Sequence, residues 1–268
     1  MKNTNLTKVT FILSSLILLS SCGHDYGEKL ESDDEKVAVL YASIANEMKK
    51  ATNYELKVKE DVASKHQQRY GEPISGLKVE ETLLVNEKNE MKAVYSASWD
   101  GGNQEITAYT SSDGKTTYGQ TSGKVNGSDF SNAGFGNEEG GREFSDVFRG
   151  LFSFYRTFSD PFKCLEDLTN PLFFGTTGIT ASNTYSIHSK GEGNLTFVIS
   201  KSVEKRETYA TENIVTEKDV VTYDNYLFKS ARIEQEDDKG SKSSYDIIFS
   251  KKDPFTIDFP EAMKRSEA

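Results

Sequence analysis

The stretch MKAVYSASWDGGNQEITAYT, residues 91–110, decides the fold. Apolar and polar residues alternate along both of its halves, and an Asp-Gly-Gly turn at residues 100–102 separates them. A period of two is typical of a strand that buries one face and exposes the other. A glycine-containing turn between two such runs favours a hairpin. The stretch therefore predicts two antiparallel strands from a sheet with one apolar face.

The same alternation continues on both sides of this hairpin. Residues 54–59 alternate apolar with charged side chains, and residues 77–85 form another run. An Asp-Gly pair at residues 113–114 predicts a second hairpin turn, followed by a short strand over residues 116–120. These runs predict an antiparallel meander with one apolar and one polar face.

Strand patterns return after residue 175. The predicted strands are 183–189, 194–203, 205–216, 218–223, 226–235 and 243–250, with turns at 224–225 and 238–240. A closing run at 255–259 alternates again, and Pro260 ends it. Because no repeat of fixed period and no linker divides the strands, residues 35–268 are predicted to form a single domain.

An amphipathic helix is predicted to precede the strands, over residues 34–52. Its apolar residues recur at spacings of three and four and form one stripe: Val37, Leu40, Tyr41, Ile44, Met48 and Ala51. Ser32 or Asp33 is placed to cap its first turn.

Two segments of different composition interrupt the predicted sheet. Residues 121–143 are rich in Gly, Ser and Asn and predict a mobile loop. Residues 144–174 contain nine aromatic side chains. Their spacing predicts a helix with a broad apolar face, ended or restarted by Pro161, and then a shorter second helix.

The N-terminus has the layout of a secretory signal. Lys2 and Lys8 precede a short apolar core at residues 9–19, which is too short for a transmembrane helix. The ending Leu19-Ser20-Ser21-Cys22 resembles the lipobox of bacterial lipoproteins. That resemblance implies a signal peptide at residues 1–21, an acylated Cys22 and a lipidated tether at residues 22–34. An ordinary secretory signal with a cysteine near the cleavage site is the alternative.

Charge and motifs narrow the function classes. The formal net charge of −10 opposes binding to phosphate backbones, so no nucleic-acid partner is expected. Zinc-protease, serine-hydrolase and P-loop motifs are absent, so the prediction is a non-enzymatic protein with no cofactor and no metal. Two distant carboxylates meeting in a cleft as a glycosidase pair remain an alternative. The acidic pair Glu80-Glu81 is interpreted as solvated, and Cys164 as a small buried hydrophobe.

The order of elements resembles one known fold. A helix, about five strands, an aromatic helical insertion and about six further strands are similar to the bacterial lipoprotein carriers LolA and LolB and the mycobacterial LppX/LprG group. Four stretches carry the resemblance: the helix–strand junction at 46–58, the hairpin at 109–118, the insertion at 144–174 and the ending at 245–260. The chain departs from those carriers in its length, its acidity and its 121–143 segment.

The resemblance implies a fold that is mainly β with α (α+β). Its curved antiparallel sheet, or half-barrel, is closed on the concave face by the N-terminal helix and the central helical insertion. The expected function is a carrier or sensor, lipid-anchored on the extracytoplasmic side of the bacterial cell envelope. Its expected ligand is a lipid, a lipoprotein acyl chain or another amphiphile in an apolar cavity.

The candidate cavity or lid residues are Phe148, Leu151, Phe152, Tyr155 and Phe158 in the insertion, together with Tyr95 and Trp99. Alternatively, the aromatic face packs on the strands and leaves no cavity. The protein would then be a surface-exposed binding or adhesion module that recognises protein or glycan through loops such as 121–143.

Overall fold

The structure, a computed structural model, describes residues 24–31, 33–61, 68–69, 72–73, 76–113, 116–136, 168–169, 180–203 and 214–266. The helices are α1 (Asp34–Met48) and α2 (Glu261–Ser266). The strands are β1 (Glu28–Lys29), β2 (Tyr54–Asp61), β3 (Gln68–Arg69), β4 (Glu72–Pro73), β5 (Lys78–Val85), β6 (Met91–Trp99), β7 (Gly102–Thr110), β8 (Thr117–Val125), β9 (Ser128–Gly136), β10 (Thr180–Ser189), β11 (Leu195–Val203), β12 (Ile214–Asp224), β13 (Leu227–Asp237) and β14 (Lys242–Lys251).

Twelve of these strands form one antiparallel sheet in the order β1-β10-β11-β12-β13-β14-β2-β5-β6-β7-β8-β9. Strands β3 and β4 pair separately. The large sheet is curved and not closed, since β1 and β9 remain at opposite ends of the described order. This confirms the coarser part of the predicted fold, a mainly antiparallel β-sheet that is curved and open. Most of the helical insertion at 144–174 lies outside the described residues.

The first long strand and the last strand of the chain lie side by side in the middle of the sheet. Strand β14 pairs with β2, with Ile247 opposite Val58, so the last strand closes against the first long one. Strands β2 and β5–β9 extend to one side, and we call them the N-terminal wing. Strands β10–β14 extend to the other side and form the C-terminal wing. The two wings share one inner face, on which most of the core lies.

Helix α1 covers the inner face of the C-terminal wing. The Asp33 carboxylate accepts a hydrogen bond from the Lys36 amide at 2.8 Å, which confirms one of the two predicted caps. The helix ends at Met48, four residues before the predicted end. Met48 is fully buried, and its sulfur accepts a hydrogen bond from the Phe228 amide at 3.3 Å. The helix therefore packs against β13 through its last turn.

The prediction of a mobile loop over residues 121–143 is wrong for residues 121–136. Strand β8 continues to Val125, and β9 starts at Ser128. Between them, Asn126 and Gly127 have φ of 48° and 83°. Positive φ at both turn residues is what a tight two-residue hairpin needs, and Asn-Gly adopts it readily. That dipeptide is the signal that the composition of the segment concealed. Residues 137–143 lie outside the described part of the chain.

The closing run at 255–259 is not a strand. It crosses the outer face of the N-terminal wing, where Ile257 and Met263 pack with Tyr109 and Tyr118. Alternation showed that one side of this segment is buried, but it did not distinguish a sheet neighbour from a covering segment. Pro260 does end the run, and α2 follows it directly.

The predicted division between 205–216 and 218–223 is also wrong. Residues 214–224 form the single strand β12, and residues 204–213 lie outside the described ranges. The other strand predictions agree with β2, β5–β7, β10, β11, β13 and β14 within a few residues, while β8 is longer than expected.

Candidate functional site

Side-chain size falls along one register row of the inner face, from the middle of the sheet to the edge of the N-terminal wing. One register row joins Phe249, Leu56, Leu83, Ala93, Ala108, Gly119 and Gly134 in that order. A Cβ built at Gly119 or Gly134 would meet no heavy atom within 4 Å. Among the described residues, nothing covers the inner face at Gly119 and Gly134, whereas α1 covers it at β11 and β13.

Several buried charged side chains lie on the inner face, toward the end of the sheet remote from Phe228. In the C-terminal wing these are Lys201, Glu217 and Asp219, with the half-buried Gln235 beside them, and in the N-terminal wing they are Glu60 and Glu81. A buried charge is expensive unless it is paired and hydrogen-bonded. The two wings meet this requirement differently.

In the C-terminal wing a lysine pairs with two carboxylates. Lys201 Nζ donates to Glu217 Oε1 at 2.8 Å and to Asp219 Oδ2 at 2.6 Å. Gln235 donates to the second oxygen of Glu217 at 2.7 Å. Burial disfavours the charged lysine, but the charges of Asp219 and Glu217 outweigh it and raise the pKa of Lys201. The lysine side chain thus supplies the positive charge that both carboxylates need.

Asp219 is the less well satisfied of the two carboxylates. Its Oδ1 atom is buried without a hydrogen-bond partner. Burial, with the nearby charge of Glu217, raises the pKa of Asp219 to about 7, although Lys201 acts in the opposite direction.

In the N-terminal wing, Glu60 of β2 and Glu81 of β5 are buried without a cation. Their exposed fractions are 5% and 2%, and the Oε2 atom of each is buried with no hydrogen-bond partner. Burial raises the pKa of Glu60 to about 7. Burial and then the charge of Glu60 raise the pKa of Glu81 well above its usual value. Among the described residues, no lysine or arginine forms an ion pair with either carboxyl group.

The register places these two carboxyl groups close together. Glu60 lies opposite Val79, and Glu81 lies opposite Val58, so the two glutamates are diagonal neighbours on one face. Diagonal positions of an antiparallel pair are separated by roughly 7–8 Å. Each glutamate also has a tyrosine directly opposite it on its other neighbouring strand. Tyr245 pairs with Glu60, and Tyr95 pairs with Glu81.

Two of the predicted ligand residues can be located. Tyr95 is half-buried and lies beside Glu81. Trp99 lies at the tip of the β6–β7 hairpin, where its ring covers Gly102: a Cβ there would be 2.7 Å from Cζ2 of the indole. The other candidates lie outside the described residues, and their roles stay predictions: Phe148, Leu151, Phe152, Tyr155, Phe158 and the lipidation site Cys22.

The interpretation of Glu80-Glu81 as a solvated pair is wrong for Glu81. Glu80 is exposed on the outer face, but Glu81 shares the buried phase of Val79, Leu83 and Val85. Glu60 likewise follows Leu56 and Val58 in the buried phase of β2. The strand period thus contained the signal, because a charged residue in the apolar phase must face the core.

Surface grooves occur away from this carboxyl pair. One of about 540 Å³ lies on the outer face of β5–β8, between polar side chains such as Lys78, Glu105 and Ser122. Another, of about 490 Å³, lies between the segment before α1 and the helix itself, along Leu30, Val39 and Leu40.

Within the described ranges, no three His, Cys, Asp or Glu side chains are grouped to hold a metal ion. The helices described here include none with the length and apolar character needed to cross a membrane.

Comparisons with known proteins leave the family open. No family model matches the chain, and no curated protein matches it either. Among solved structures, it is similar to a β-barrel-like protein of a domain of unknown function (DUF1849) from Brucella abortus. That likeness covers 76% of this chain and 98% of the other, with 9% identity and a TM-score of 0.26. At this TM-score the likeness carries no argument about the site.

Proposed function

We propose that this protein is a non-enzymatic carrier or sensor that holds an amphiphile against the inner face of its N-terminal wing. The observation that carries the proposal is the loss of side-chain volume toward Gly119 and Gly134 on the inner face of an open sheet. A sheet that curves around a face it does not fill offers that surface to a ligand.

The energetics favour an apolar chain as part of the ligand. Each methylene removed from water contributes about 0.8 kcal/mol. A chain of moderate length lying along Ala93, Ala108 and Gly119 therefore needs no charged contact to stay bound. The predicted acyl anchor at Cys22 would hold the protein at a membrane, where such chains are abundant. The aromatic residues of the 144–174 insertion, Phe148 and Phe152 among them, remain the candidate lid.

A binding role suits the buried carboxyl pair better than glycoside hydrolysis does. A glycosidase needs one carboxyl group ionised and one protonated, in contact with substrate and water. Burial raises the pKa of both Glu60 and Glu81, so neither is held ionised as such a pair requires. We therefore place them among the binding groups.

Native mass spectrometry of the protein, purified as the expressing cell processes it, tests the carrier proposal. We expect a stoichiometric adduct of lipid mass that is released on denaturation and identified after solvent extraction. An apo mass from several preparations, with no uptake of added fatty acid or lysolipid, would contradict the proposal. The mass of the denatured chain also reports whether Cys22 carries acyl groups.

A pair of matched variants shows where the ligand lies. Gly119→Leu adds a side chain to the inner face at a position where a Cβ has no heavy atom of the described residues within 4 Å. Gln120→Leu puts the same side chain on the opposite face one residue later. We expect the lipid adduct to disappear in Gly119→Leu and to persist in Gln120→Leu. Equal lipid content in both variants would exclude this part of the face.

A second candidate function is a surface module that binds protein or glycan, and the β8–β9 hairpin favours it. Strand β9 pairs with β8 at the end of the described sheet, and residues 131–135 are exposed on both of its faces. An open strand edge can add a strand from a partner. Phe135, which is 45% exposed, would contribute to such a contact. Binding to a glycan or protein array that is lost in Phe135→Glu, while lipid content is unchanged, would support this alternative.

A further inference from the structure

We propose that Glu60 and Glu81 bind a cationic amine group of the ligand, so that the cargo is an amine-bearing amphiphile. This inference rests on the proposed function, and it adds the chemical class of the headgroup. Two buried carboxyl groups on adjacent strands support it. Each has an oxygen with no hydrogen-bond partner among the described residues.

The unpaired oxygens of Glu60 and Glu81 carry an energetic cost. Leaving a buried acceptor without a donor costs the full desolvation of that group, and the cost is larger for a charged one. Two such groups side by side also repel each other when ionised. Neither β2 nor β5 requires a glutamate at these positions for packing, since valine and leucine occupy the same buried phase. A ligand with several hydrogen-bond donors and a positive charge would remove both costs.

The same face of the sheet already holds an ammonium group between two acids. In the C-terminal wing, one primary ammonium, Lys201 Nζ, contacts two carboxylates at 2.8 and 2.6 Å. That arrangement shows how this sheet accommodates a pair of buried acids. The N-terminal wing repeats the two acids, but among the described residues it supplies no lysine for them. An amine from the ligand would take the place that Lys201 takes in the other wing.

A tyrosine lies beside each of the two glutamates. Tyr245, which is buried, stands directly opposite Glu60, and Tyr95 stands directly opposite Glu81. Aromatic rings beside carboxylates favour an ammonium group, because the ring faces are electron-rich and the rings exclude water. Tyr95 has Ile106 of β7 as its next neighbour in the row, and Thr121 of β8 follows. A headgroup at Glu81 would therefore leave an attached chain directed toward the bare face at Gly119.

Calorimetric titration of the delipidated full chain with octylammonium and with octanol tests the headgroup. The two probes share a chain and differ in charge. We expect octylammonium to bind at least tenfold more tightly than octanol. Glu81→Gln and Glu60→Gln should each remove that preference, because glutamine keeps the shape and removes the charge. Glu80→Gln, one residue away on the outer face, should leave it intact.

The outcomes separate the headgroup inference from the proposed function. If octanol binds as tightly as octylammonium, the amine inference is overturned and the carrier proposal stands. If neither probe binds, the carrier proposal fails as well. A preference for octylammonium that survives in both glutamine variants would place the amine elsewhere and overturn the assignment to Glu60 and Glu81. Circular dichroism of each variant checks that its fold is retained.

Discussion

The two wings of one sheet treat the same inner face in opposite ways. In the C-terminal wing, α1 covers large side chains such as Phe228, and Lys201 forms an ion pair with each of two buried acids. In the N-terminal wing, the row that starts at Phe249 shrinks to Gly119 and Gly134, and among the described residues the two buried acids have no cation. The difference teaches that, among the described residues, the C-terminal wing supplies a covering helix and a cation for its acids, while the N-terminal wing supplies neither at Gly119 and at its two glutamates.

Removing Lys201 from the C-terminal wing should have the largest effect on stability. Lys201→Met leaves Glu217 and Asp219 buried without their cation. Breaking one partner of a buried ion pair typically costs about 3–5 kcal/mol. Urea unfolding at neutral pH measures the loss. Lys218→Met, at an exposed position of β12 between Glu217 and Asp219, is the control and should change little. A loss below about 1 kcal/mol for Lys201→Met would remove the contrast in charge between the wings.

Truncating the helical cover should cost about 2–5 kcal/mol. Met48→Ala removes a fully buried side chain and its contact with the Phe228 amide. Val39→Ala on the same helix is the matched control, since Val39 is 60% exposed. Thermal or urea unfolding compares the two variants. If they lose equal stability, α1 does not seal the C-terminal wing as described.

Replacing a buried acid of the N-terminal wing by a neutral side chain should raise stability at alkaline pH, whereas Lys201→Met lowers it. The folded pKa of Glu60 is about 7, above its usual value, so the folded state holds a proton that the unfolded chain releases. Stability from this group is complete at low pH and is lost as the pH rises toward about 7. In delipidated protein, Glu60→Gln should therefore exceed the wild type by up to about 3 kcal/mol at pH 8 and match it near pH 4. Glu80→Gln, at an exposed position, is the matched control for the substitution itself, and a destabilised Glu60→Gln at pH 8 would contradict the account.

Filling the bare face should cost the least. Because a Cβ at Gly119 has open space, and because leucine suits a strand better than glycine, Gly119→Leu should stay within about 1 kcal/mol of the wild type. Thermal unfolding measures this. A loss of several kcal/mol would mean that the face is already filled, and would end the contrast in packing between the wings.

Much of this contrast can be read from alternation in the sequence. The phase of Leu56, Val58 and Glu60, and that of Val79, Glu81 and Leu83, places both acids on the apolar face of their strands. Interpreting Glu80-Glu81 by charge alone, as a solvated pair, missed that phase. Composition misled in the same way at 121–136, where the Asn126-Gly127 turn outweighed the glycine content of the segment.

Other features could not be derived from local patterns. The pairing of Lys201 with Glu217 and Asp219 depends on the register between β11 and β12, which no single strand specifies. The position of residues 255–259 on the outer face depends on packing against Tyr109 and Tyr118, which lie far earlier in the chain. Long-range register and packing decide such contacts, and neither has a period that a sequence window can reveal.

The most direct test is a carboxyl-carbon NMR titration of the delipidated protein labelled at glutamate, with Glu60→Gln and Glu81→Gln as assignments. The account predicts that the pKa of Glu60 is about 7 and that the pKa of Glu81 lies well above the usual glutamate value. Both pKa values should fall when octylammonium is added. If both groups titrate at the usual glutamate value without any ligand, they already have partners or solvent, and the N-terminal wing needs nothing added.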